Sequence, residues 1–123
     1  MLNVNAAMAT ALTTAWKSLK SGRVQDARQS FRGAINSGAD RSDGYLGLAA
    51  TSLAAGDLRD ALSLAQKSLD EQPSPPAHLL AAESHSRLGN RRQAEQHLEA
   101  YLSSGGDAPY ARALLGEQRI RTA

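Results

Sequence analysis

The heptapeptide AGDLRDA at residues 55–61 decides the fold, because the chain repeats its pattern twice more, as SGRVQDA at 21–27 and LGNRRQA at 88–94. The three glycines are 34 and 33 residues apart, and the alanines that end the heptapeptides have the same spacing. Two further columns keep this period: Ala15, Ala49 and Ala82 upstream, and Ile35, Leu69 and Leu102 downstream. A fixed period of this length indicates a repeat architecture.

Each repeat is predicted to form two helices joined by a tight turn at its glycine. Apolar residues on both sides of Gly56 recur at helical spacing, for example at 46, 50 and 53 before it and at 58, 61, 62 and 65 after it. Asp57 and Asn90 directly follow their glycines, where a side-chain oxygen can cap the next helix. Arg23 takes that place in the first unit. The small alanines are expected at helix crossings, where they let the backbones approach.

Helix breakers divide the chain into units. Gly38, the PSPP segment at 73–76 and the glycine pair at 105–106 close the three units, and the prolines at 75 and 76 suit the first turn of the next helix. We therefore expect units at 8–41, 42–74 and 75–107. A last helix at 108–121, capped by Asp107, should cover the third unit with Leu114, Leu115 and Ile120.

Composition is that of one small globular domain, residues 1–123, with a mass of 13.0 kDa. Aromatic residues are only 4%, so the core must be built mostly from Ala and Leu. Cysteine is absent, which excludes a disulfide, a thiolate metal site and a Cys nucleophile. The formal net charge of +2 is not a nucleic-acid footprint. No apolar run approaches the ~18 residues of a membrane span, and no basic segment precedes the Ala-rich N-terminus, so we expect a cytoplasmic protein.

The 34-residue helix–turn–helix unit with small residues at fixed places resembles the tetratricopeptide repeat, over residues 8–107. The resemblance implies an all-α solenoid of three repeats with a C-terminal capping helix. The sequence departs from the family pattern at repeat position 11. An aromatic residue is usual there, whereas this chain has Ser18, Ser52 and His85.

The resemblance also implies where a partner would bind, since the first helix of each unit lines a concave groove in this family. The corresponding residues are Leu12, Trp16 and Leu19, then Leu46, Ala50 and Leu53, then Leu79, Glu83 and Ser86, with Lys20 and Arg87 towards the rim. We expect the large apolar members to lie near water. Trp16, the chain's only tryptophan, is expected on a side of its helix that is not needed to join helices within a unit, and it is the expected hot spot. The alternative is that Trp16 is a core residue beneath an N-terminal segment or a dimer partner.

The sequence contains no catalytic pattern: it has neither a Gly-rich phosphate loop nor a nucleophile elbow. His78 and His85 share a predicted helix face, but together with Glu83 they lack metal-ligand spacing, and we interpret them as surface or partly packed residues. His97 is expected to be solvated. Three arginines at 87, 91 and 92 form either a solvated turn or a docking spot for an acidic segment. We expect no enzyme activity, metal or cofactor.

These features predict a non-catalytic interaction module, a bacterial-type adaptor or chaperone that binds an apolar peptide or helix of another protein. The resemblance permits this interpretation, because small repeat proteins of this kind include secretion chaperones that shield apolar segments of export substrates. The basic clamp that other members use for chaperone C-termini cannot be built, because Leu12, Trp16, Gly47, Pro76 and Leu80 stand at the corresponding places. The alternative is a structural solenoid that self-associates, for example as a homodimer, through the groove or the last helix. Neither alternative involves nucleic acid or membrane.

Overall fold

The computed structural model describes residues 4–38, 40–106, 109 and 111–116. Within them the chain is helical, with no strand, and six helices follow one another: α1 (Val4–Lys20), α2 (Val24–Asn36), α3 (Arg41–Ala54), α4 (Leu58–Glu71), α5 (Pro75–Leu88) and α6 (Arg91–Ser103). Residues 111–116 are helical as well. The predicted all-α solenoid is confirmed. Asp107, and residues 108, 110 and 117–121 of the predicted last helix, lie outside the described residues.

The helices pack as successive pairs. α1 packs on α2, α3 on α4 and α5 on α6, while α2 with α3 and α4 with α5 join one pair to the next. The division of the chain at 41/42 and 74/75 into units remains our proposal. In the described part of the chain no helix is both long enough and apolar enough to cross a membrane.

The glycine turns have one geometry in all three units. Gly56 and Gly89 have φ angles of +83° and +84°, in the left-handed region that other residues rarely adopt. The backbone N–H of Asp57 then donates to the carbonyl of Ser52, and that of Asn90 to the carbonyl of His85, each at 2.8 Å. These bonds satisfy the last carbonyls of α3 and α5, as in a Schellman motif.

The expected side-chain caps after these glycines were wrong. Asp57 and Asn90 occupy the N-cap positions of α4 and α6, but neither side chain makes a capping hydrogen bond. Two caps do form where the chain enters a first helix. Asp40 accepts from the Asp43 N–H at 3.1 Å, and Ser74 accepts from the Ala77 N–H at 3.4 Å. Pro75 begins α5, as predicted.

The core is built from the alanine columns and a few large residues. Ala15, Ala49 and Ala82, with Ala27, Ala61 and Ala94, are all at most 1% exposed. Phe31 fills the first core cluster and Leu98 the last one. Leu114 and Leu115 of the last helical segment pack on the Leu98 cluster, as expected, whereas Ile120 lies outside the described residues.

Enlarging an alanine at a crossing is expected to overpack it. Ala49→Leu and Ala61→Leu should each lower the free energy of unfolding by about 1–3 kcal/mol, because both side chains are fully buried. Urea denaturation measures the change. Gln66→Leu is the control on α4, since Gln66 is exposed. Small and equal effects at all three positions would contradict the repeat register.

Candidate functional site: the row of first helices

The first helices of the three pairs lie side by side, because α3 contacts both α1 and α5. Residues spaced by three or four positions lie along one side of a helix. We call the surface of α1, α3 and α5 that carries the predicted partner-binding residues the first-helix face. It brings residues from distant parts of the sequence onto three neighbouring helices.

The α1 end of this face is apolar and partly exposed. Leu12, Trp16 and Leu19 are half-buried against the Phe31 core cluster. The indole of Trp16 meets the ring of Phe31 edge-on, with centroids 4.9 Å apart and planes at 74°. Its N–H donates to Oδ2 of Asp43 at 3.4 Å.

These contacts correct one expectation about Trp16. Its ring was expected on a face that plays no part in joining helices within a unit. Instead it contacts Phe31 of α2, and its N–H reaches Asp43 of α3. The role of Asp43 could not be found from sequence, because it stands 27 residues from Trp16 and no repeat column links the two.

The large apolar residues at the centre of the first-helix face are buried. Leu46 and Leu53 are only 9% and 7% exposed, so the expectation that they lie near water was wrong. The reason is that α3 is the middle first helix and has a neighbour on each side. Ala50 is half-buried. Leu46 reaches the edge of a shallow depression of about 200 Å³, together with Asp43 and Pro76.

The α5 end of the face has mixed polarity. Leu79 is half-buried against the cluster of Leu98 and Tyr101. Glu83 is half-buried and Arg87 is exposed. The accessible part of the first-helix face is therefore an aromatic and aliphatic end on α1 and an amphipathic end on α5.

Three histidines contact one another between α5 and α6. The sequence predicted that His78 and His85 share a helix face, but not that His97 joins them. Nδ1 of His78 and Nδ1 of His97 are 3.1 Å apart, so one ring donates and the other accepts. The rings of His85 and His97 stack, with centroids 5.6 Å apart and planes at 17°. The expectation that His97 is simply solvated was wrong. Among the described residues, no group of three or more His, Asp or Glu side chains could hold a metal ion.

The environment of these histidines disfavours their charged forms. Burial lowers the pKa of His78 and of His85 below the ordinary value of 6.5. Burial also lowers the pKa of His97, and the charges of His78 and His85 lower it further. The three rings are therefore packed as neutral groups near neutral pH.

Acidification is expected to destabilise the α5–α6 pair. A pKa lowered in the folded state means that the unfolded chain binds more protons, so this part of the stability falls as the pH drops from about 7 to about 5. Urea denaturation across this range measures the slope. His97→Gln removes the central ring and should flatten the slope. An identical slope in the wild type and in His97→Gln would contradict the expectation.

Comparison with known proteins agrees with this geometry. A tetratricopeptide repeat family model matches residues 52–117, more than half of the sequence. The chain belongs to the tetratricopeptide repeat family. A search of the curated proteins gave no match.

Solved structures share the fold over nearly the whole chain. One is a crystal structure of the Yersinia enterocolitica type III secretion translocator chaperone SycD in an alternative dimer, with a TM-score of 0.86 and 19% identity, covering 95% of each chain. Another is SycD from the same organism in complex with a peptide of the translocator YopD, with a TM-score of 0.84 and 19% identity, covering 96% of each chain. At this level of identity the likeness concerns the fold.

Proposed function

We propose that this protein is a non-catalytic, chaperone-like interaction module of the bacterial cytoplasm that binds an apolar peptide or helix of a partner protein. The binding surface is the accessible part of the first-helix face. Leu12, Trp16 and Leu19 would contact apolar side chains of the partner at one end, and Leu79, Glu83 and Arg87 would contact an amphipathic stretch at the other. Leu46, Ala50 and Leu53 would support the middle.

One observation carries this proposal. In the row of first helices, half-buried apolar residues of α1 and α5 lie on either side of the buried leucines of α3. Such residues can bury further area without unfolding the core, and tetratricopeptide solenoids use extended concave surfaces for binding. Support also comes from SycD, which shares the fold and has been crystallised with a peptide of another protein. Few charges line the α1 end, so the affinity should depend weakly on salt.

Selection from a displayed library of random peptides, followed by titration of synthetic binders, tests the proposal. The half-buried Trp16 is expected to shift its fluorescence to the blue when a peptide covers it. Trp16→Ala should weaken binding by about 2 kcal/mol or more, as for a hot-spot residue, which corresponds to roughly thirtyfold. Because Trp16 also packs on Phe31, circular dichroism must show that the variant stays folded.

A matched pair of leucines controls for effects on stability. Leu79 and Leu102 are both half-buried against the Leu98 cluster, but Leu79 lies on α5 and Leu102 on α6. Leu79→Ala should weaken peptide binding several-fold, and Leu102→Ala should leave it unchanged. Peptides that bind equally well to both variants and to Trp16→Ala would refute the first-helix face as the binding surface.

A second candidate function is self-association through the first-helix face or the last helix. The observation that favours it is the dimer in which SycD was crystallised. Sedimentation velocity over a wide range of concentrations separates the two. A monomer whose Trp16 emission is partly solvent-exposed supports peptide binding, whereas a tight dimer with blue-shifted Trp16 emission supports self-association.

A further inference from the structure

A groove lies between α2 and α4, which are the second helices of the first two pairs. Its lining residues differ from those of the first-helix face. α3 packs against both α2 and α4, so it forms the floor of this groove, while α2 and α4 form the walls. Its volume is about 380 Å³. The residues that matter are Arg28 and Arg32 on α2, Tyr45 and Ser52 on α3, and Leu64 and Lys67 on α4.

The repeat itself shows what is missing from this groove. Tyr45, Ser52 and Leu64 stand 33 residues before the three clustered histidines, His78, His85 and His97, and so occupy the same repeat positions. In the third unit the imidazole of His85 stacks on His97. In the second unit Ser52 has no ring to place over Leu64. The groove therefore lacks a planar side chain at the position that the His85 imidazole occupies in the third unit.

Charge on the α2 wall adds a second requirement. Among the described residues, the guanidinium groups of Arg28 and Arg32 form no ion pair. They stand one helical turn apart, so both can reach the same bound group. The ammonium group of Lys67 lies 5.8 Å from the centroid of the Tyr45 ring. Two arginines with this spacing suit a carboxylate, which a guanidinium can bind through two parallel hydrogen bonds.

The opposite wall limits how acidic the occupant can be. Asp57 and Asp60, at the start of α4, are exposed and line the same groove. A uniformly acidic segment would be repelled there. The groove thus fits a segment with one aromatic side chain and acidic residues on the side that faces α2.

We propose that the groove between α2 and α4 is a second docking surface, which takes up an aromatic side chain of a partner protein over Ser52 and binds a neighbouring carboxylate of that partner at Arg28 and Arg32. The aromatic ring occupies the place that the His85 imidazole fills in the next repeat. This surface is separate from the first-helix face and does not depend on the function proposed for it.

A dye-labelled hexapeptide with one tryptophan preceded by two glutamates is the probe. We expect saturable binding that weakens strongly as salt is raised, because the Arg–carboxylate pairs are partly solvated. Ser52→Tyr places a ring at a position that is only 5% exposed, so it should fill the groove from within and lower the affinity at least tenfold in a variant that circular dichroism shows to be folded. Arg32→Glu, at an exposed position, should do the same without disturbing the core. Arg92→Glu, an equally exposed arginine on α6, should have no effect.

Three results would overturn this proposal. The first is an absence of probe binding to the wild-type protein. The second is binding that persists in Arg32→Glu and is lost in Trp16→Ala or Leu79→Ala, since this would place the probe on the first-helix face. The third is a wild-type dimer that Ser52→Tyr converts to a monomer, because the occupant would then be a second copy of this chain.

Discussion

Phe31→Ala is expected to lower the free energy of unfolding by about 3–5 kcal/mol, the range measured when buried aromatic residues are truncated. Phe31 is fully buried and is the largest of the fully buried side chains that the structure describes. It packs with Ala15, Ala27 and Leu48, so it holds α2 to both α1 and α3. Urea denaturation followed by circular dichroism measures the loss.

A change that keeps most of the side-chain volume separates the loss of packing from other effects of substituting Phe31. Phe31→Leu keeps much of the side-chain volume and should cost about 1.5 kcal/mol or less. Trp16 packs edge-to-face with the Phe31 ring, so Phe31→Ala should also make the Trp16 emission more solvent-exposed. Equal stability losses in Phe31→Leu and Phe31→Ala would contradict the packing argument.

Gly47→Leu is expected to be the most disruptive change at a glycine, at about 3 kcal/mol or more, which is the upper end of overpacking costs. A Cβ placed on Gly47 would overlap atoms of the Phe31 ring, which is fully buried. Chemical denaturation of the purified variant measures the effect. Failure of Gly47→Leu to fold at all would agree with the expectation, and Gly47→Ala then supplies a milder variant.

Gly33→Leu is the matched control for helical glycine. Gly33 is exposed on α2, and a Cβ there would meet nothing within 4 Å. Leucine is the better helix former, so this variant should be more stable by about 0.5–1 kcal/mol. If Gly47→Leu changed the free energy of unfolding no more than Gly33→Leu does, the close contact between α3 and Phe31 would be contradicted.

A double-mutant cycle connects these two expectations. If Gly47 is required because Phe31 fills the space beside it, the cost of Gly47→Ala should shrink in the Phe31→Ala background. Additive effects would mean that the two residues act independently. This contact lies between α2 and α3, which our division assigns to different units, so the cycle also tests how the first two repeats are joined.

The architecture followed from the sequence because repeats are specified by local and periodic features. The 34 and 33 spacings placed the turns at Gly22, Gly56 and Gly89, and the alanine columns correctly predicted small residues in the core. A glycine in the left-handed region and an alanine at a close crossing are each required by backbone geometry, which depends little on distant residues. The histidines at 78 and 85 were also placed on one helix by spacing alone.

The tertiary structure alone decided which residues are covered. Leu46 and Leu53 have the same pattern as Leu12 and Leu19 in sequence, yet they are buried because α3 has a first helix on either side. The contact of Trp16 with Phe31, the approach of His97 to His78 and the groove between α2 and α4 all depend on how one helix packs against another. Periodicity determines which side of a helix is apolar, whereas exposure depends on the neighbours that packing brings to it.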